Sequence, residues 1–182
     1  MDRATQRVIA IGAIGAPLLH SVTDLMEWLQ GGFSPLQLWL NYLAFLPLPA
    51  IMIGLYAAQR PGISRAGLAG AVIYGFAFIY FTFTTLTALA GHVSSYAELW
   101  KELGLTYTAH GALMIVGGAL FGHSSFRARV FPAWTSVLFL TGLGLNLLLT
   151  FVPVDDLYQT LGTSLRNAGL IGMGWAIWRM TP

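Results

Sequence analysis

The chain contains no cysteine, so disulfides, thiolate nucleophiles and cysteine-ligated metals are excluded. Charge is scarce as well: only 9% of the 182 residues are charged, whereas soluble domains carry about 25%. The net charge is +2 and the nine basic residues are scattered singly, so no basic patch favours a nucleic-acid partner. The shortage of charge also excludes an ordinary water-soluble surface.

Long hydrophobic runs take the place of the missing charge, since 56% of the residues are hydrophobic. A run of about 20 apolar residues spans a bilayer. Because the bilayer core offers no water to backbone polar groups, such runs form helices. The sequence therefore predicts an all-α polytopic membrane protein, with residues 1–182 forming a single domain of six transmembrane helices. The six predicted spans are residues 8–29, 36–58, 66–90, 99–122, 130–152 and 157–179.

The N-terminus has the charged-then-apolar form of a signal peptide. The segment HSVTDLMEW follows it, rather than a small-residue cleavage site, so we expect a retained first helix. Basic residues of short loops stay on the cytoplasmic side. Seven arginines fall on one side of a six-span map, which predicts that both termini are cytoplasmic in a bacterial plasma membrane. These arginines are Arg3, Arg7, Arg60, Arg65, Arg127, Arg129 and Arg179.

Three segments resemble one another: TQRVIAIGAIGA, ISRAGLAGAVIYG and RARVFPAWTSVLFLTG. Each opens an outward-running helix with an arginine near its start. They favour three helical hairpins repeated about every 60 residues. Selection for cytoplasmic arginines alone would give the same pattern, so both interpretations stay open.

Ionisable side chains are concentrated in the outer half of the predicted bundle. His20, Asp24 and Glu27 stand at i, i+4 and i+7 and share one face of the first helix. At a rise of about 1.5 Å per residue, His20 and Arg166 lie about 13 Å inside the outer boundary and His110 about 15 Å. Such groups cost about 2.5–3.5 kcal/mol at mid-helix, so they usually face a cavity or a partner.

These residues define a candidate site. His20, Asp24, Glu27 and His110 are the candidate catalytic acids and bases. Arg166 cannot lose its proton, so it is expected to pair with Asp24 or Glu27 and to hold an anionic ligand group. The same residue types also join helices without any further role. Other polar residues at similar depth are ligand-binding candidates: Asn41, Tyr80, Thr84, Thr106, Asn146 and Gln159.

The polar layer predicts an outer-leaflet pocket for a small, largely apolar or amphiphilic molecule. One interpretation is an intramembrane acid–base enzyme of an isomerase or cyclase type. The alternatives are a solute-binding or transport component, a haem protein ligated by His20 and His110 or a related metal protein, and an accessory protein without catalysis. No motif identifies a cofactor or a protein partner. The lipid bilayer and the small molecule are the expected partners.

Overall fold

The structure, a computed structural model, describes residues 1–180, so the last two residues of the predicted domain and the C-terminus lie outside it. Within this range the chain forms eight helices and no strand, which confirms the all-α class. The helices are α1 (Arg3–Gln30), α2 (Pro35–Phe45), α3 (Leu48–Ala58), α4 (Arg65–Gly91), α5 (Tyr96–Leu103), α6 (Leu105–Ala128), α7 (Ala133–Leu149) and α8 (Asp156–Met180).

Four helical segments of residues 1–180 are long and apolar enough to cross a membrane. They are α1, α2 together with α3, α4, and α6, with 24 to 28 residues each. Helix α7 is apolar but has only 17 residues, a length of about 26 Å. Helix α8 has 25 residues but is less apolar. The structure thus supports a membrane protein, while the number of six spans and the hairpin repeat stay predictions.

The second predicted span is one segment divided by proline. Helix α2 ends at Phe45 and α3 begins at Leu48, with Pro47 between them. Proline lacks a backbone N–H and cannot donate the helical hydrogen bond. The connecting residues keep helical dihedrals, with φ −52° and ψ −44° at Leu46, so the segment continues in one direction with a local break.

The fourth predicted span is divided between two helices in the structure. Residues 99–122 were expected to form one helix, but the chain reverses at Gly104, where φ is 56° and ψ is −131°. Glycine adopts positive φ without steric cost. The short helix α5 therefore ends before this turn, and α6 begins at Leu105. As a result, Leu99 belongs to α5 rather than to the helix that carries His110.

Glycines allow the helix backbones to approach closely, as is common in membrane bundles. A Cβ at Gly117 on α6 would collide with the backbone nitrogen of Tyr74 on α4. A Cβ at Gly142 on α7 would collide with the backbone of Gly162 and Arg166 on α8. Helices α4 and α6, α1 and α8, and α7 and α8 form the most extensive contacts.

The two ends of the bundle differ in charge. All arginines except Arg166 lie at the start of α1, around the α3–α4 turn, at the end of α6 or at the end of α8. These four places fall at one end of the bundle. We call this the arginine end. The opposite end, here named the acidic end, carries Lys101 and the exposed carboxylates Glu98, Glu102, Asp155 and Asp156. The half of the bundle toward the acidic end contains the candidate site.

Candidate functional site

A cavity of about 40 Å³ lies in the acidic-end half of the bundle. Helices α1, α2, α4 and α6 form its walls. The α1–α2 loop and α5 cover it through Phe33, Tyr96 and Leu99. Most of the lining is aromatic and aliphatic. Its polar groups are His20, Asn41, Thr84, Thr85, Tyr96 and Tyr107.

His20 is the ionisable group of the cavity wall and is 7% exposed. Its Nε2 lies 3.4 Å from Oδ1 of Asp24, which is also buried. The Phe45 ring meets the imidazole edge-on at a centroid distance of 4.7 Å and restricts its orientation. The other ring nitrogen, Nδ1, has no hydrogen-bond partner. The pair therefore leaves one imidazole nitrogen free to contact a ligand.

The α1–α2 contact beside His20 contains further polar groups. The Thr23 hydroxyl donates to Oδ1 of Asn41 at 2.7 Å and lies 2.8 Å from the His20 carbonyl. One turn before Asn41, the Gln37 side chain is fully buried. Neither its amide nitrogen nor its amide oxygen has a partner. This side of the site therefore contains more hydrogen-bonding groups than the protein itself satisfies.

Tyr96 brings a hydroxyl to the site from the short helix α5. The residue as a whole is 39% exposed, but its hydroxyl end is buried and interacts with the Glu27 carboxylate. Desolvation, and then the nearby Glu27 and Asp24 charges, raise the pKa of Tyr96 well above its usual value. The phenol consequently stays protonated at neutral pH and can serve as a hydrogen-bond donor.

Two loop contacts hold the cover in place. The backbone N–H of Phe33 donates to the Ser94 carbonyl at 2.8 Å, and the Phe33 ring packs on Tyr96 at 4.7 Å. At the start of α5, Glu98 accepts hydrogen bonds from the backbone N–H and hydroxyl of Ser94 at 2.8 and 2.9 Å. The backbone bond, above all, lowers the pKa of Glu98. The carboxylate therefore remains ionised and keeps the α4–α5 turn closed.

Two hydrogen bonds to Asp155 connect α1 to the start of α8 at the acidic end. The Trp28 indole N–H donates to Oδ1 of Asp155 at 2.9 Å, and the Leu157 backbone N–H donates to the same oxygen at 2.8 Å. These bonds, first that from Leu157, lower the pKa of Asp155. The contact ties the outer end of α1, which carries the site residues, to the rest of the bundle.

His110 lies beside the cavity, behind Phe81. Its ring stacks on Tyr80 at 5.7 Å and meets Phe81 edge-on at 4.3 Å. It is 2% exposed and its Nδ1 has no hydrogen-bond partner. The Phe45 and Phe81 rings, 5.4 Å apart, connect it to His20. Aromatic rings therefore occupy the space that a haem ligated by both histidines would need.

His20, Asp24 and His110, which could together bind a metal ion, do not converge on one point. His20 pairs with Asp24, whereas His110 contacts only aromatic rings. Across residues 1–180, no three side chains of histidine, aspartate or glutamate come together in a way that could hold a metal ion. The structure thus places two separate imidazoles near the cavity rather than one ligand set.

Other candidates lie away from the cavity. Thr106 is exposed, because the turn at Gly104 directs the start of α6 outward. Asn146 donates through its amide to the carbonyl and side-chain oxygens of Gln159 at 2.9 and 2.8 Å. This pair joins α7 to α8 and satisfies its own polar groups. Of the predicted residues, His20, Asn41 and Thr84 line the cavity. Asp24 and Glu27 lie next to it through their contacts with His20 and Tyr96, and His110 and Tyr80 lie behind Phe81.

The predicted ion pair of Arg166 is wrong. Its Nη1 donates to the Met114 sulfur at 3.0 Å, and no carboxylate of residues 1–180 lies within 4.0 Å of it. Asp24 pairs with His20 and Glu27 interacts with Tyr96, so both carboxylates belong to the cavity side of α1. Arg166 instead lies among α6, α7 and α8.

Sequence reasoning missed several residues of the site: Phe33, Gln37, Thr85, Tyr96 and Tyr107. Two of them carried a signal, since Gln37 stands four residues before Asn41 and Tyr107 three residues before His110, each on the same helix face. Phe33 and Tyr96 reach the site only because a loop and a short helix fold over the cavity. Hydrophobic periodicity does not predict that the α1–α2 loop and α5 cover the cavity.

Comparisons of the chain with protein-family models, with curated proteins and with solved structures gave no match. The function is therefore argued from the cavity and its side chains.

Proposed function

We propose that this protein is an integral membrane protein whose cavity binds the polar end of a small, largely apolar or amphiphilic molecule. The supporting observation is Nδ1 of His20, a buried nitrogen on the cavity wall that has no hydrogen-bond partner. Buried polar groups are hydrogen-bonded in about 90% of cases or more. A bound head group, or water in its absence, completes this nitrogen, while the Gln37 amide and Nδ1 of His110 are unpartnered groups outside the cavity lining.

The size of the cavity restricts what it encloses. Its volume of about 40 Å³ admits a few water-sized groups, since one water needs roughly 10–15 Å³ by this measure. Pockets that enclose a whole drug-sized ligand measure about 300–1,000 Å³. The cavity therefore suits a hydroxyl, amide or carbonyl head group, with the apolar remainder lying between helices or in lipid. Cyclisation of a large enclosed hydrocarbon is disfavoured by this volume.

The reaction class that the site supports is proton transfer at the head group. Asp24, whose Oδ1 lies 3.4 Å from Nε2 of His20, orients the imidazole so that its unpartnered Nδ1 can exchange a proton with a bound ligand. The hydroxyls of Tyr96 and Thr84 line the same cavity, donate to Glu27 and to the Phe81 carbonyl, and keep oxygen lone pairs that can accept from a ligand donor. Binding without catalysis uses the same contacts and is an outcome of the tests below.

We further propose that the chain is one domain that spans a bacterial plasma membrane six times, with the arginine end in the cytoplasm. Two observations support this topology. Seven of the eight arginines share one end of the bundle, as the positive-inside rule requires, and α7 and α8 pack against the four apolar segments rather than apart from them. In this arrangement the cavity opens toward the outer leaflet.

Because the chain has no cysteine, single-cysteine variants test the topology without background. In intact cells, a membrane-impermeant maleimide is expected to label a Val154→Cys variant at the acidic end. It should leave Arg127→Cys unlabelled until the membrane is permeabilised. Both positions are exposed in the structure. Labelling of Arg127→Cys before permeabilisation would reverse the proposed orientation.

Partial filling of the cavity tests the binding site. Ala88 is fully buried and lines the cavity, so Ala88→Val places two methyl groups where the head group would lie. We expect the small molecule that co-purifies in mild detergent, measured by native mass spectrometry, to fall about tenfold in occupancy. The control is Ala90→Val on the same helix, which is exposed and should retain it. Equal occupancy in both variants would remove the cavity as the binding site.

A further inference from the structure

Arg166 forms a second buried site, separate from the cavity. Its side chain is 3% exposed, and its Nε has no hydrogen-bond partner. The contact of Nη1 with the Met114 sulfur at 3.0 Å uses only a weak acceptor. A guanidinium is charged at every accessible pH. The protein therefore leaves a buried positive charge without a negative partner within residues 1–180.

A second unsatisfied donor lies close to this charge. The Tyr74 side chain is fully buried and its hydroxyl has no hydrogen-bond partner. The Tyr74 ring lies against Gly118 on α6 and Phe139 on α7, one turn from Met114 and Gly142, which Arg166 contacts on the same two helices, yet Arg166 and the Tyr74 hydroxyl do not bond to each other. Both the Arg166 Nε and the Tyr74 hydroxyl can donate, and neither atom has an acceptor. The two donors consequently need a hydrogen-bond acceptor, and the positive charge of Arg166 favours an acceptor that is negatively charged.

Neighbouring acceptors of the protein are already in use. The side-chain oxygen of Asn146 faces the Thr163 hydroxyl at 3.5 Å, and its amide group is occupied by Gln159. Asn167, next to Arg166, donates to the Ser21 hydroxyl at 3.0 Å. Gln159 and Thr163 precede Arg166 by seven and three residues and form a polar track along α8 from the acidic end.

We propose that Arg166 and Tyr74 bind a small inorganic anion of the halide class, chloride in the first instance. A monatomic anion accepts from donors in any direction and needs little space among packed helices. It also neutralises the single charge of Arg166. The polar face of α8 gives it a route from the acidic end. This site stands apart from the cavity around His20, so either proposal can fail without the other.

The test is thermal unfolding of the detergent-purified protein, followed by its six tryptophans, in sodium chloride and in sodium gluconate at equal ionic strength. Chloride is expected to raise the Tm of the wild type by about 5 °C with saturable dependence. Arg166→Gln should lose this response and should be more stable than the wild type in gluconate, because it removes an uncompensated charge. Arg127→Gln, at an exposed arginine, should respond like the wild type.

Tyr74→Phe provides a second variant that keeps the buried ring and removes only the hydroxyl. It is expected to raise the chloride concentration for half of the Tm shift about tenfold. Equal Tm values of the wild type in chloride and gluconate would overturn the proposal. So would an equal chloride effect in Arg166→Gln, or a bound fatty-acid mass lost on Arg166→Gln, which would identify an organic carboxylate instead.

Discussion

Replacing Gly142 with alanine is expected to destabilise the protein by about 3 kcal/mol, the upper part of the range for overpacking a close contact. A Cβ at this position would collide with the backbone nitrogen of Arg166 and the carbonyl oxygen of Gly162. Backbone atoms of α8 cannot rotate away as a side-chain end could, so α7 and α8 would have to separate. Thermal or denaturant unfolding in mild detergent measures the loss.

Gly144, two residues further along α7, is the matched control. A Cβ there meets nothing within 4 Å. Alanine should stabilise the helix at that position by about 0.5–1 kcal/mol, because it loses less backbone entropy than glycine. Equal stability of Gly142→Ala and Gly144→Ala would contradict the close packing of α7 on α8 and, with it, the placement of Arg166.

Removing both buried histidines is expected to weaken binding of the co-purifying small molecule about 100-fold. In the double variant His20→Ala, His110→Ala, the site loses two imidazoles whose Nδ1 atoms have no protein partner. A neutral hydrogen bond contributes about 0.5–1.5 kcal/mol net, so two together approach about 2.8 kcal/mol, which corresponds to 100-fold. Native mass spectrometry and an absorption spectrum of the gently purified protein report the bound species.

The control changes the two exposed histidines, His92 and His123. His92 has a φ of 53°, so it is changed to asparagine, which tolerates this backbone conformation, and His123 to alanine. This variant should keep the ligand. Loss of the ligand from both double variants would attribute the effect to general destabilisation. A wild type with no bound species would favour an accessory role or a weakly held substrate.

The helical class and the common face of His20 and Asp24 could be predicted from the sequence, because both follow from local patterns. Long apolar runs require helices in a bilayer, and a spacing of four residues places His20 and Asp24 on one face. Their contact in the structure follows from that spacing. The exposure of Thr106 did not follow, since Gly104 looked like one more small residue in an apolar segment.

Partners across helices could not be predicted in the same way. Arg166 was matched to Asp24 or Glu27 because all three lie at similar depth, but depth leaves the direction around the bundle undetermined. In the structure Asp24 pairs with His20 on its own helix and Glu27 interacts with Tyr96 on α5, whereas Arg166 contacts Met114 on α6. Tyr96 joins the site through a short helix that crosses the end of the bundle. Such contacts depend on tertiary packing rather than on helical periodicity.

The most direct test of the central claim is an experimental density map of the protein in a lipid nanodisc, inspected at the cavity. We expect non-protein density in contact with His20 and Asn41 that continues toward the lipid between the helices. It would be contradicted by a closed, empty cavity in which Nδ1 of His20, the Gln37 amide and Nδ1 of His110 all bond to protein groups.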